Sequence, residues 1–162
     1  MDFSKKYIGI NVLEVGGSNG DLAHEILDEC SDIQKYTIVE PNPTCQTDGK
    51  LSVINAFFNN EYAKRCTENY DTCIHSHTLE HAYDPKSFIE GLSTSMKKGG
   101  FQVLSIPNLK RYMEKKFTNT LNFEHTYFLT EELLVPLMSR YGFVLVEKSE
   151  FLDHSLFFAF VK

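Results

Sequence analysis

The sequence predicts an α/β fold whose mostly parallel seven-stranded sheet ends in an antiparallel hairpin. Short apolar runs with little polar alternation predict the parallel strands, because such runs suit strands that are buried on both faces. Helical patterns lie between the runs, and this alternation is typical of a parallel sheet with helices on both faces. Two further runs near the C-terminus are too close for a crossover helix, which predicts the hairpin.

The predicted strands follow these runs in chain order. The runs of the parallel part are INVLEV (10–15), YTIVE (36–40), the weaker SVIN (52–55), DTCIHS (71–76) and FQVLSI (101–106). The hairpin joins FVLVEKSEF (143–151) to SLFFAFV (155–161). We therefore expect five parallel strands followed by two antiparallel ones.

Three helices are predicted in the gaps between strands. The first carries an apolar stripe at Leu22, Ala23, Ile26, Leu27 and Cys30. The second begins with Asp84 and Pro85 and is expected to end at 97–100, where two lysines and two glycines suit a helix C-terminus. The third is expected from about residue 130 to Gly142, with two glutamates in its first turn.

Length and charge limit the classes of function. The 162 residues fit one domain spanning 1–162. A net charge of −6 disfavours a nucleic acid partner, because phosphate binding needs a basic face. No apolar run approaches the length of a membrane span, and the four cysteines form no C-x-x-C pair, so we expect a protein of the reducing cytoplasm.

The stretch IHSHTLEH (74–81) raises the question of a metal site. Alternate residues of a strand share a face, so His75 and His77 can converge on one cation. The alternative function that follows is a zinc-dependent hydrolase using these two residues and His81. The run is similar to the H-x-H-x-D-H signature of metallo-β-lactamase-like hydrolases, but its last gap is one residue longer and contains Glu80. The register does not fit, and we expect no metal.

The loop after the first strand predicts a cofactor site. In LEVGGSNG (13–20), Glu14, Gly16 and Gly20 match the E/D-x-G-x-x-x-G pattern. Glycines allow a tight turn close to a ligand, and the N-terminus of the next helix suits a carboxylate. The G-x-G-x-x-G spacing of nicotinamide dinucleotide sites is not met. The E/D-x-G-x-x-x-G loop at this place is typical of the class I S-adenosylmethionine-dependent methyltransferases, and the chain resembles this family.

This resemblance implies a Rossmann-like fold that binds S-adenosylmethionine and releases S-adenosylhomocysteine. Glu40 ends the second strand, where its carboxylate can accept hydrogen bonds from both ribose hydroxyls. The cofactor contacts that we expect are Glu14, Gly16, Gly17, Ser18, Gly20, Glu40, Pro41, Asn55, Ala56, Ser76 and His77. A protein that binds the cofactor without catalysis is the second alternative.

Two longer segments extend the resemblance. DTCIHSHTLEHAYDPKSFIEGLSTSMKKGGFQVLSIPN (71–108) is similar to a methyltransferase pattern with L-E-H-x-x-D-P, K-x-G-G and P-N. NFEHTYFLTEELLVPLMSRYGFVLVE (122–147) resembles the core of nucleotide-sugar C-methyltransferases, in which H-E-H-x-x-Y-F precedes a helix. The first histidine of that motif is Asn122 or Phe123 here. The implied acceptor is a small molecule of the sugar or nucleotide-sugar type, methylated on oxygen or carbon.

The same motif supplies the expected catalytic residues. His125 is the first choice as general base, with Glu124 and Tyr127 beside it, and His81 is the second choice. Residues 107–127 follow a strand at the carboxyl edge of the sheet, where open α/β sheets bind ligands. We expect them to form a lid and acceptor-binding element, with Lys110 or Arg111 as anion contacts, while a homodimer is the other way to complete a shallow acceptor pocket.

Overall fold

The fold is a seven-stranded sheet with helices on both faces, seen in a computed structural model that describes residues 2–117 and 124–162. The strands are β1 (Asn11–Val15), β2 (Lys35–Glu40), β3 (Leu51–Asn55), β4 (Tyr70–Ser76), β5 (Met96–Pro107), β6 (Val144–Phe151) and β7 (Ser155–Val161). The helices are α1 (Asp2–Lys5), α2 (Asp21–Glu29), α3 (Asn60–Arg65), α4 (Pro85–Ser95), α5 (Leu109–Glu114) and α6 (Glu131–Ser139). A single 3₁₀ turn covers Leu79–His81.

The strand order β3-β2-β1-β4-β5-β7-β6 confirms the predicted fold class. Strands β1 to β5 pair in parallel, and β7 pairs antiparallel with both β5 and β6. From β1 the chain first adds β2 and β3 on one side of the sheet. It then returns and adds β4 and β5 on the other side of β1. The carboxyl ends of β1, β2 and β4 therefore lie side by side, at the kind of switch point where open α/β sheets bind ligands.

Apolar side chains fill both faces of the sheet. Leu13 and Val15 pack on the face covered by α4 and α6, while Val12 packs on the face covered by α2. Successive side chains of a strand point to opposite faces of the sheet. The last four residues of β1 are all buried, so this strand is covered on both faces. This explains why the sequence of β1 lacks polar alternation.

The end of α4 differs from the prediction. The helix ends at Ser95, and residues 97–100 form an irregular bulge in β5 opposite Asp71. Gly99 has φ +81° and donates its N–H to the Lys162 carbonyl at 2.8 Å, as a glycine in a bulge does. The charge at the helix C-terminus comes instead from the Lys162 ammonium, whose Nζ lies 2.6 Å from the Met96 carbonyl.

Three further helices lie outside the three predicted helical segments, and all are short. They are α1, α3 and α5, of four, six and six residues. Among the residues that the structure describes, no helix is both long and apolar enough to cross a membrane.

Candidate functional site

A cavity of about 680 Å³ opens at the carboxyl ends of β1, β2 and β4. Its walls come from the loop after β1, the end of β2, the start of α3 and the turn between β4 and α4. Of the eleven predicted cofactor contacts, five line this cavity, and they are Gly16, Glu40, Pro41, Ser76 and His77. His81, predicted as a catalytic residue, lines it as well.

The loop after β1 is held under the turn after β4. Gly16 has φ +81°, and a Cβ at this position would lie 2.6 Å from Thr78 Oγ1. Thr78 Oγ1 in turn donates a hydrogen bond to the Val15 carbonyl at 3.2 Å. Gly16 is therefore required both for its backbone conformation and for the close approach of the two loops.

The Glu40 carboxylate lies at the end of β2 and lines the cavity. Its Oε1 accepts a hydrogen bond from the Asn42 N–H at 2.9 Å, and its Oε2 accepts a longer one from the Ser18 N–H at 3.4 Å. These backbone donors fix the carboxylate while each oxygen retains a further lone pair. Glu40 can thus accept hydrogen bonds from a pair of hydroxyls on a ligand.

Six predicted cofactor contacts lie outside the cavity lining. They are Glu14, Gly17, Ser18, Gly20, Asn55 and Ala56. Glu14 is only 4% exposed, and its Oε2 accepts a hydrogen bond from the Tyr36 hydroxyl at 2.8 Å. Burial raises the pKa of Glu14 to about 7, although the Tyr36 hydrogen bond opposes this shift. The Glu14 carboxylate packs against the loop, because a Cβ on Gly17 would lie 3.1 Å from Glu14 Cδ.

Aromatic residues after β3 supply one wall of the cavity. Phe57 and Phe58 line the cavity together with Asn59, and Phe57 is 73% exposed. Asn59 is the N-cap of α3 and accepts a hydrogen bond from the Tyr62 N–H at 2.8 Å. Asn59 can be predicted as an N-cap only if α3 itself is predicted. A helix of six residues is too short to leave a recognisable pattern in the sequence.

The histidines of IHSHTLEH point in different directions. His75 is fully buried, and its ring packs edge-on against Phe88 with centroids 5.3 Å apart. Burial lowers the pKa of His75 to about 4, although the nearby Glu80 charge opposes this shift. His77 and His81 line the cavity instead. The ligand set of the zinc hydrolase alternative is therefore not formed, because its first member faces the core.

His77 occupies an unusual position between two polar partners. Its φ is +50°, which is uncommon for a residue with a side chain and marks a backbone held by its surroundings. The ring Nδ1 lies 3.2 Å from Glu80 Oε1, and Nε2 lies 2.9 Å from Ser155 Oγ. Ser155 Oγ also lies 2.6 Å from His154 Nδ1. The first residue of β7 thus anchors the turn that follows β4.

Glu80 is a buried carboxylate in the 3₁₀ turn that follows β4. It is 2% exposed, and neither oxygen receives a well-aligned hydrogen bond from the described residues. Burial alone would raise the pKa of Glu80, but the contact with His77 and the charges of His77 and His81 outweigh it and lower the pKa below its ordinary value. The Glu80 side chain is therefore ionised at neutral pH.

The backbone of Glu80 brings the predicted catalytic residues to the turn after β4. Its carbonyl accepts hydrogen bonds from the Thr126 and Tyr127 N–H groups at 2.8 and 3.2 Å. His81 Nδ1 lies 3.0 Å from the Glu124 carbonyl, and the rings of His81 and His125 are 4.8 Å apart. His125 lines a separate void of about 10 Å³ with Glu80, while His81 lines the large cavity.

The expected lid is described only in part. Residues 118–123, which include Asn122 and Phe123 of the predicted motif, lie outside the described residues. The Tyr112 ring contacts those of Phe117 and His154, with centroids 5.9 and 6.0 Å apart. Arg111, expected to contact an anion, is paired with Glu114 at 3.1 Å and with Asp153 at 3.9 Å.

Comparisons with known proteins agree with this geometry. A family model described as a methyltransferase domain matches residues 3–148. No curated protein matches the chain. Solved structures match in 779 chains, so the fold alone does not select a substrate.

Three of these structures show the range of the similarity. A methyltransferase from Archaeoglobus fulgidus, named as dependent on S-adenosylmethionine, has a TM-score of 0.77 at 16% identity and covers 99% of this chain and 90% of its own. An O-methyltransferase family protein from Burkholderia thailandensis has a TM-score of 0.79 at 11% identity, with 99% and 54% covered. The N-methyltransferase NodS from Bradyrhizobium japonicum, solved with S-adenosyl-L-homocysteine, has a TM-score of 0.68 at 14% identity, with 93% and 76% covered.

Proposed function

The chain belongs to the family of methyltransferase domains, and on that premise we propose that it transfers the methyl group of S-adenosylmethionine to a small molecule. The observation that carries the proposal is the cavity of about 680 Å³ at the ends of β1, β2 and β4. Its size is sufficient for a cofactor, because pockets for small molecules and cofactors range from about 300 to 1,000 Å³. It also joins a tight glycine turn, the Glu40 carboxylate and an aromatic wall.

The cofactor carries its methyl group on a sulfonium sulfur, and S-adenosylhomocysteine is a good leaving group. The Glu40 carboxylate is proposed to accept hydrogen bonds from the ribose hydroxyls, and Phe57 to cover the adenine. Gly16 and the N-terminus of α2 would lie near the methionine end, together with Ser76 and His77. The protein's task is then to orient the acceptor, which can contribute several kcal/mol to catalysis.

His81 and His125 are proposed to assist removal of the acceptor's proton. His81 borders the cavity beyond Ser76 and His77, and its ring contacts that of His125 at 4.8 Å. Proton removal by a positioned group contributes roughly 10² to 10⁴ in rate. Glu124 is proposed to orient the His81 ring, because its backbone carbonyl oxygen lies 3.0 Å from His81 Nδ1.

For the acceptor, we propose a sugar or a nucleotide-sugar-type metabolite, methylated on oxygen or carbon. The support is the segment 124–128, EHTYF, whose Glu124, His125, Tyr127 and Phe128 match the motif of the nucleotide-sugar C-methyltransferases. The structural neighbours include an O-methyltransferase family protein and an N-methyltransferase, so an acceptor screen must include nitrogen nucleophiles.

The test begins with calorimetric binding of S-adenosylmethionine to the wild type, to Glu40→Ala and to the control Glu25→Ala. Glu25 is an exposed carboxylate on α2, so its removal changes the net charge equally. We expect Glu40→Ala to weaken binding by roughly 10- to 100-fold, as expected for a lost hydrogen bond to a charged group. Equal affinities of the two variants would refute the ribose contact.

Turnover is tested next, by release of S-adenosylhomocysteine over a panel of sugars, nucleotide sugars, phenols and amines. We expect at least one acceptor to support release, with kcat reduced by about 10² or more in His125→Ala. Cofactor binding without release over the whole panel would favour a protein that binds the cofactor without catalysis.

A further inference from the structure

Three metal-ligating side chains meet beside the proposed acceptor position. Glu80, His81 and His125 each offer one ligand atom, and these atoms lie within 4.8 Å of one another. Ligand atoms of a tetrahedral zinc ion, each about 2.0 to 2.2 Å from it, lie roughly 3.4 Å from one another. A contraction of at most about 1.4 Å, shared among the three side chains by rotation, would therefore bring these atoms to one ion.

The buried carboxylate of this set is only weakly satisfied by the described residues, because its contact with His77 Nδ1, at 3.2 Å from Oε1, is poorly aligned. Glu80 is 2% exposed, and neither of its oxygens receives a well-aligned hydrogen bond from the described residues. A buried charge is costly unless it is paired or coordinates a metal ion. A void of about 10 Å³, lined by Glu80, by His125 and by mostly apolar side chains, adjoins it. This volume is close to the lower limit for one water, and a bare divalent ion is smaller.

The surroundings hold two of these side chains as the outer contacts of a metal site do. His81 Nδ1 lies 3.0 Å from the Glu124 carbonyl, and an Nδ1–H donor there leaves the lone pair on Nε2. His77 Nδ1 lies 3.2 Å from Glu80 Oε1 and orients the carboxylate. Metal-binding histidines nearly always donate their second N–H to a carbonyl or carboxylate, and metal-binding carboxylates are similarly supported.

We propose that Glu80, His81 and His125 bind one divalent ion of the first transition row, such as Zn²⁺ or Mn²⁺. Two imidazoles and one carboxylate suit these ions better than Mg²⁺, which prefers oxygen ligands. The proposal deepens the proposed function and rests on it for the position of the acceptor. An acceptor hydroxyl bound to the ion would lose its proton more readily, so the histidines would assist the reaction as ligands.

The test is calorimetric titration of untagged, chelator-treated protein with ZnCl₂ and separately with MnCl₂, without cofactor or acceptor. We expect one site per chain for at least one of the two ions. His81→Ala and His125→Ala should each weaken binding more than about tenfold, and Glu80→Gln should do the same. His24→Ala is the matched control, because it removes an exposed imidazole on α2 and should bind like the wild type.

The supporting contacts provide a second readout. His77→Ala should weaken metal binding by roughly 10- to 100-fold, because it removes the group that orients Glu80. Circular dichroism of each variant checks that the fold is retained. Absence of binding to correctly folded wild type would overturn the proposal, and so would binding that survives the double variant His81→Ala/His125→Ala. S-adenosylmethionine binding by the chelator-treated protein is measured in parallel, so that failure of the metal site and failure of the proposed function can be told apart.

Discussion

The raised pKa of the buried Glu14 side chain predicts that the free energy of unfolding depends on pH. Glu14 is 4% exposed on β1, and burial raises its pKa from the ordinary 4.5 to about 7. Between these values the folded protein holds a proton that the unfolded chain has released. Stability contributed by this group is therefore present at low pH and is lost as the pH rises from 4.5 through 7. Glu14→Gln, which keeps the shape and stays neutral, should remove that loss.

The expected size follows from the two pKa values. The difference between 4.5 and about 7, at about 1.4 kcal/mol for each pKa step, corresponds to roughly 3 kcal/mol. A change of 1 kcal/mol moves the Tm of a domain of this size by about 2–4 °C. Relative to the wild type, the Glu14→Gln variant should therefore gain roughly 6–12 °C in Tm between pH 4 and pH 8.

Thermal denaturation followed by circular dichroism at half-unit pH intervals measures this effect. The relevant quantity is the difference in Tm between variant and wild type, because it cancels the other titrating groups and any constant effect of the amide. Glu25→Gln, on the surface of α2, is the control and should show a difference that varies little with pH. A Glu14→Gln difference that is equally flat from pH 4 to 8 would refute the reasoning.

Three further predictions concern the core, the loop and a helix cap. Burial lowers the pKa of His75 to about 4, so the unfolded chain binds a proton below pH 6.5 that the folded protein does not. The free energy of unfolding of the wild type should therefore fall by roughly 3 kcal/mol as the pH falls from 6.5 to 4. His75→Leu should lack this fall when unfolding by urea is measured at each pH. Gly16→Ala should destabilise by about 1–3 kcal/mol, because its Cβ would meet Thr78. Gly49→Ala, at φ +52° with open space around it, should cost less in the same urea assay. Asp84→Ala should cost about 1 kcal/mol in unfolding free energy, because the side chain accepts a backbone N–H at the start of α4.

Strands β1, β2, β4 and β7 could be predicted because burial on both faces leaves a local mark. Each of these four strands is an apolar run whose neighbours carry turn or helix signals. The end of α4 could not be predicted in this way. Two lysines and two glycines suit a helix C-terminus and a β-bulge equally well, and the choice depends on Lys162, which lies more than sixty residues away and caps the helix.

The residues of the proposed cofactor site were easier to predict than those of the proposed acceptor site. Glu40, Ser76 and His77 line the cavity because each ends or directly follows a strand of the sheet, and strand ends can be read from the sequence. The approach of His125 to Glu80 depends instead on backbone hydrogen bonds from Thr126 and Tyr127 to the Glu80 carbonyl. Any sequence can form such bonds, so the segment 124–127 gives no local sign of where it docks.

The position of β7 between β5 and β6 has a consequence for synthesis on the ribosome. Strand β6 leaves the ribosome first, but the described sheet offers it only β7 as a neighbour, so it must wait for that strand to emerge. The same strand brings Phe158 and Phe160 to the core and Ser155 to the His77 ring. A nascent chain can therefore form the loop after β1 early, whereas the turn that carries Glu80 and His81 gains its last support only when β7 docks.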